Sequence, residues 1–218
     1  MTFIPNTSTL PKPQRQLWRE LRPLADQFVL YGGTAIALRL GHRASVDFDY
    51  FTEHLLDIDS MLKTLAFLSA ADVLQREPNT LTVSVNRGGP VKLSIFGDIS
   101  FGRIGTPDRT EDGVAVVASP IDLLATKLKV LLQRIEIKDY LDIEALLRSG
   151  VDLAQGLGGA AALYGNAFAP MECVKALVYF QEGAAREVPD GTQSYLRNVA
   201  ERWDGRVPEM PIIGRSLQ

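Results

Sequence analysis

The stretch that most restricts how this chain can fold is residues 31–51, YGGTAIALRLGHRASVDFDYF. It follows a short apolar run of β composition, PheValLeuTyr at 28–31, which Gly32 and Gly33 stop. TAIALRLG then repeats Ala, Ile and Leu at helical spacing, with Thr34 as the first capping group and Gly41 as the stop. In SVDFDYF, Val46, Phe48 and Tyr50 alternate with Asp47, Asp49 and Phe51, so both aspartates project from one face of a strand. Strand, glycine turn, helix and acid-bearing strand, in that order, predict an α/β (α+β) core.

The order has chemical meaning. Two glycines let the backbone approach a phosphate closely and leave N–H groups at a helix start, where the dipole favours an anion. Alternate strand positions separate the roots of Asp47 and Asp49 by about 7 Å, within joint reach of one Mg²⁺ or two adjacent ions. Together these features make a cradle for a metal and a triphosphate. Taken singly each is weaker, since a Gly-Gly pair is commonly a turn and Asp-x-Asp is commonly a solvated strand edge. The turn has neither the Lys-Ser/Thr ending of a P-loop nor the third glycine of a dinucleotide fingerprint.

Around this centre, helical spacing of Leu17, Leu21 and Leu24 predicts a helix over 13–25. IDSMLKTLAFLSAA predicts another, and LTVSV, an RGGP turn and VKLSIF predict a hairpin. From Ser119 onward nearly every segment is helical in pattern. SPIDLLATKLKVLLQR starts with Ser at the cap, Pro at the first helical position and Asp in the first turn, and further helices are expected near 139–148, 152–164, 170–182 and 192–203. The expected domains are therefore 1–118, an α/β core with its N-terminal helix, and 119–218, a helical domain, with the ligand cleft between them.

Composition removes several classes of function. At 218 residues, with 23 basic and 26 acidic side chains and no long uncharged apolar run, the chain has no predicted membrane span. Its start, MTFIPNTSTLPKPQRQLW, lacks the basic and apolar regions of a signal peptide, so a cytoplasmic location is expected. One cysteine, Cys173, and two histidines, His42 and His54, give little support to a disulfide framework, a His-rich metal site or a Ser-His-Asp triad. If the helix starting at Pro120 runs through Lys138, its apolar stripe is Leu124, Leu128, Leu131 and Ile135. Lys127, Arg134 and Lys138 then border that stripe and can meet phosphates or cover the core edge with their stems, while Lys129 falls on the solvent side.

GGTAIALRLGHRASVDFDYF and, further on, DLLATKLKVLLQRIEIKDYLDIEALL resemble the DNA polymerase β-like nucleotidyltransferases, and among them the AbiEii/AbiGii abortive-infection toxins. The resemblance spans roughly residues 28–148. It implies a polymerase β-like core with a mixed sheet, followed by helices. It also implies two-metal transfer of a nucleoside monophosphate from a nucleoside triphosphate (NTP) to an acceptor, with RNA and especially tRNA as the acceptor class. Gly32, Gly33 and Thr34 would hold the triphosphate, Asp47 and Asp49 would bind Mg²⁺ or Mn²⁺, and Lys127 and Asp139 would join them as site residues with Arg134 and Lys138 on phosphates. A cognate antitoxin encoded alongside is implied as a partner. Asp142 lies one helical turn beyond Asp139, and either can instead pair with Arg134 or Lys138. His42 and Arg43 match the family's GHR segment, for packing or for acceptor binding.

One departure concerns a third carboxylate, which many nucleotidyltransferases carry on a later strand. VKLSIF offers Ser94 there, and Asp98 lies about 13 Å further on if the strand continues. The sequence thus leaves open a non-catalytic binder of nucleotide or antitoxin, and also transfer to a protein or a small molecule.

Overall fold

A computed structural model describes all residues, Met1–Gln218. The chain packs as two compact units. One comprises Met1–Gly102, Thr106–Ser119 and Gly214–Gln218, and the other Arg103–Gly105 and Pro120–Ile213. The first holds β1 (Thr2–Phe3), α1 (Lys12–Trp18), β2 (Val29–Tyr31), α2 (Gly32–Leu40), β3 (Phe48–Phe51), α3 (Ile58–Thr64), β4 (Asp72–Glu77), β5 (Thr80–Asn86), β6 (Pro90–Phe96), β7 (Asp108–Thr110) and β8 (Val116–Val117). The second holds α4 (Pro120–Leu131), α5 (Ile137–Arg148), α6 (Leu153–Tyr164), α7 (Pro170–Val178) and α8 (Asp190–Arg202). The expected mixed sheet and the following helices are both present.

The eight strands of the first unit form one sheet in the order β1-β7-β8-β2-β3-β6-β5-β4. β2 and β3 are antiparallel, β3 and β6 parallel, and β5 and β6 antiparallel. Alternation decides which side of the sheet is apolar: Phe48 and Tyr50 of β3 and Leu93 and Ile95 of β6 are fully buried, while Asp47, Asp49 and Lys92 are not. Trp18 of α1 stacks on Phe48 from that apolar side, with ring centroids 6.1 Å apart. Val46 departs from the expected alternation and is exposed, because pairing begins only at Phe48.

Helix α2 is tied down by Arg39. Its guanidinium, nearly buried, pairs with Asp108 at 2.9 Å, donates to the Val117 and Ala118 carbonyls and lies 4.5 Å over the Phe3 ring. A buried cation held by a carboxylate, two carbonyls and a ring face keeps its charge while fixing the helix to three strands.

Several boundaries shift for local reasons. The helix expected over 13–25 is α-helical only as far as Trp18 and continues as a 3-10 turn, Arg19–Asp26, around Pro23, which has no N–H to give. α3 is short and α7 ends at Val178 rather than near Glu182. The strands β1, β4, β7 and β8 were not anticipated; three have at most three residues, and β4 is an edge strand exposed along its whole length, so none shows a buried alternating pattern.

In the helical unit, α4 is the central element and its Leu123, Leu124 and Leu128 are fully buried. α6 packs against it closely at Gly156, where a Cβ would come within 2.5 Å of Leu124 Cδ2. Asp122, in the first turn of α4, accepts hydrogen bonds from the Ile104 and Gly105 backbone N–H groups at 2.7 and 3.0 Å, which holds that segment to the helix start. Cys173 is a fully buried residue of α7, and its thiol lies 3.3 Å from the Leu128 carbonyl oxygen. Burial pushes the thiol up to about 12. Cys173 is therefore expected to resist alkylation in the native protein at neutral pH and to react rapidly once guanidinium unfolds it, a contrast that thiol titration reads directly. No helix is long and apolar enough to cross a membrane.

Candidate active site

Tyr31 ends β2 in extended conformation and α2 begins at once with Gly32, whose φ is +74°. Thr34 is therefore not the cap; it lies in the first turn of α2, with its side chain buried. Its hydroxyl donates to the Asp47 carbonyl and lies 2.8 Å from the buried Ser45 hydroxyl. Thr34 thus joins the start of the helix to the residue that leads into the acidic strand, and it sets Asp47 by its backbone.

Across the antiparallel pair, Tyr31 is level with Asp49, and across the parallel pair Asp49 is level with Ser94. One sheet face therefore carries a row of Tyr31, Asp49, Ser94 and Thr82, because level residues on adjacent strands share a face. One step beyond that register stand Phe51 and Phe96, and on the other side Lys92 precedes Ser94 on β6 while Asp47 leads into β3. Gly32 closes the arrangement from the side. A Cβ on it would come 2.6 Å from Asp49 Oδ2, so only the absence of a side chain lets the start of α2 approach that carboxylate. Gly32, Gly33, Thr34, Asp47 and Asp49 are thus brought together.

Gly32→Ala should damage this arrangement twice. An L-residue at positive φ costs about 1–2 kcal/mol, and the new methyl group must displace Asp49. The expected outcome is a folded protein with a lower melting temperature and much weaker Mg²⁺-nucleotide binding, checked by thermal denaturation and calorimetric titration.

Ser94 occupies the position beside Asp49 where a third acid was anticipated, and it is buried with its hydroxyl 3.5 Å from that of Thr82. Asp98 does not compensate. The strand ends at Phe96, and Asp98 sits exposed in a left-handed turn beyond it, with φ of +58°. No group of three or more His, Cys, Asp or Glu side chains is placed to hold a metal.

The second predicted set lies in the helical unit and is organised differently from expectation. α4 stops at Leu131 and α5 starts at Ile137, with Glu136 extended between them, so no single helix runs from Pro120 to Lys138. Ile135 is exposed rather than part of an apolar stripe. The break lets α5 fold back so that Asp139 and Asp142, both fully buried, each accept from Lys127 Nζ at 2.7 Å. Arg134, half exposed, reaches Asp139 with Nε at 3.1 Å and Glu136 with Nη1 at 3.3 Å. Lys138 pairs with Glu136 at 2.9 Å on the surface. Lys129 is not plain solvent surface, since its ammonium donates to the Ala167 carbonyl and lies 5.9 Å over the Tyr164 ring. The buried core of this cluster holds two carboxylates against one ammonium, and Arg134 supplies the balancing charge from its rim.

The sequence does not by itself single out Lys92, which precedes Ser94 on β6, or the aromatic rings beyond Asp49. The signal was there in VKLSIF, whose alternation puts Lys92 and Ser94 on one face, but only the register of β6 against β3 shows which face that is.

The family model described as nucleotidyl transferase AbiEii toxin, type IV toxin-antitoxin system, matches residues 15–210. The chain belongs to the AbiEii nucleotidyltransferase toxin family. An uncharacterized protein of Aquifex aeolicus is 31% identical over 205 residues, covering 92% of this chain and 97% of that protein. Among solved structures, an H. pylori protein assigned as a nucleotidyltransferase superposes with a TM-score of 0.58 at 19% identity, covering 86% of this chain and 91% of that one. At that identity the likeness establishes the nucleotidyltransferase fold. The AbiEii match extends past α5, and so also takes in helices that the two sequence blocks left out.

Proposed function

We propose that this AbiEii family member moves a nucleoside monophosphate from an NTP to an RNA acceptor, with tRNA the favoured class, as the toxin of a bacterial toxin-antitoxin or phage-defence pair in the cytoplasm. The observation that carries the reading is the close approach of the Asp49 carboxylate to the glycine start of α2, with Asp47 two residues before it and held through its carbonyl by Thr34 of that helix. A helix start favours the anionic phosphates, and paired carboxylates suit a hard divalent cation.

The donor set fits a metal that arrives with its nucleotide. Two carboxylates two residues apart, without a third acid, match the habit of Mg²⁺ of binding through one or two carboxylates and completing its shell with substrate phosphates and water. Asp47 and Asp49 would hold Mg²⁺, or Mn²⁺, which when bound neutralises charge on the phosphates. The backbone N–H groups at Gly32 and Gly33 bind phosphate oxygens, and Thr34 keeps Asp47 in place. An acceptor hydroxyl attacks the α-phosphorus in line and gives its proton to solvent water, the bond between α-phosphorus and bridging oxygen breaks, and pyrophosphate leaves with the electron pair.

In the helical unit, Arg134 is the residue assigned to phosphates, since its half-exposed guanidinium can turn toward a polyanion. Lys127 and Asp139 act with it, Asp139 orienting the guanidinium and Lys127 holding Asp139 through their 2.7 Å ion pair. Lys138 adds positive charge beside them. The restraining partner is an antitoxin encoded alongside.

The buried Ser94 favours a second reading, in which the fold binds nucleotide but transfers nothing, because no carboxylate stands beside Asp49 to act as general base. Incubation of purified protein with Mg²⁺, each labelled NTP and total bacterial RNA separates the two. Label in RNA that is lost in Asp47→Ala and Asp49→Ala supports transfer and names the nucleotide. Absence of label with every NTP, and with protein or small-molecule acceptors, supports the binder.

A further inference from the structure

We propose that the aromatic patch of Phe51, Phe96 and Phe101 is the surface on which the base of the NTP stacks, an inference that rests on the triphosphate reading of Asp47 and Asp49. Asp49 and Phe51 occupy successive same-face positions along β3, so Phe51 lies about 7 Å beyond Asp49, and Asp47 stands just before the strand begins. On the adjacent strand Ser94 and Phe96 stand level with Asp49 and Phe51, and Lys92 precedes them on the same face. The face is therefore charged at the end near the glycine turn and aromatic at the other. A nucleoside triphosphate has that same polarity, with anionic phosphates at one end and a flat π-system at the other.

The rings differ from ordinary core aromatics. On the opposite side of the sheet Phe48 and Tyr50 are fully buried, as packing residues are, whereas Phe51, Phe96 and Phe101 are each half-buried. Tyr31 stacks on Phe51, with centroids 4.8 Å apart and an interplanar angle of 17°, and so fixes that ring from behind the carboxylate row. Phe96 and Phe101 meet Phe51 at 86° and 69°, walling it rather than lying flat on it. Half-buried rings set at near-perpendicular angles offer a planar base both kinds of favourable contact, stacking on one ring and edge contact with the next. Every base has a π-face, so this patch supplies affinity common to all four nucleotides.

Calorimetric titration of the full chain with each Mg²⁺-NTP and with Mg²⁺-tripolyphosphate tests this, using wild type, Phe101→Ala and Phe51→Leu. Phe101 lies outside the strands, and leucine keeps most of the volume at Phe51, so both variants should fold, which circular dichroism checks. Stacking predicts that wild type binds NTPs more tightly than tripolyphosphate. It also predicts that each variant loses about tenfold or more in NTP affinity, with tripolyphosphate unchanged. Equal wild-type affinity for the two ligand types would overturn the stacking site and leave the phosphate site standing. Unchanged NTP affinity in both variants would do the same, as would a parallel loss of both ligands. Wild type that binds neither ligand would overturn the triphosphate reading, and the inference with it.

Discussion

Lys127→Met is expected to destabilise the protein by about 3–5 kcal/mol, more than any surface charge change. Lys127 reaches both Asp139 and Asp142, at 2.7 Å each, and both carboxylates are fully buried. Methionine keeps the volume of the side chain and removes the charge, leaving two buried acids with only Arg134 at the rim to offset them. The loss should appear as a drop of about 10 °C or more in melting temperature. Lys138→Met is the control. Its pair with Glu136 is solvent-exposed on both sides, so it should change stability by less than about 1 kcal/mol. Equal melting temperatures for the two variants would mean that the buried cluster is not what joins α4 to α5.

Asp49→Asn should reduce nucleotidyl transfer by at least about a thousandfold, since metal stabilisation of phosphate charge is worth several kcal/mol and each 1.36 kcal/mol is tenfold in rate. Asparagine keeps the shape of the carboxylate and removes its charge. Because Asp49 already faces the positive end of α2, the variant should stay folded, with melting temperature lowered only slightly by the loss of that favourable contact. Ser94→Asp gives the converse comparison. It puts a carboxylate level with Asp49 on β6, and in a buried position, so it should destabilise the apo protein, with Mg²⁺ restoring part of the melting temperature.

The glycine turn, α2 and the acidic strand β3 with Asp47 just before it were legible in sequence because each has a local cause: positive φ at Gly32, helical spacing after it, and period-two alternation through Phe48, Asp49 and Tyr50. What sequence could not supply was register. That Asp49 stands beside Ser94, and that Phe51 stands beside Phe96, depends on a parallel pairing between strands more than forty residues apart. The α4 to α5 break was hidden for a different reason. Lys127, Arg134 and Lys138 satisfy helical spacing as well as they satisfy a hairpin, and only the need of Asp139 and Asp142 for a buried counter-charge selects the hairpin. The edge strand β4 was missed because an exposed strand carries no alternation to read.

The most direct measurement pairs two labels. Wild-type protein, Mg²⁺ and total bacterial RNA are incubated with each NTP labelled either at the α- or at the γ-phosphate, and acceptor and small products are separated. Transfer of a nucleoside monophosphate predicts α-label in RNA, γ-label in pyrophosphate in equal amount, and neither with Asp47→Ala. If γ-label enters the acceptor, or if both labels stay in intact NTP with every acceptor supplied, the chain is not the nucleotidyltransferase argued for above.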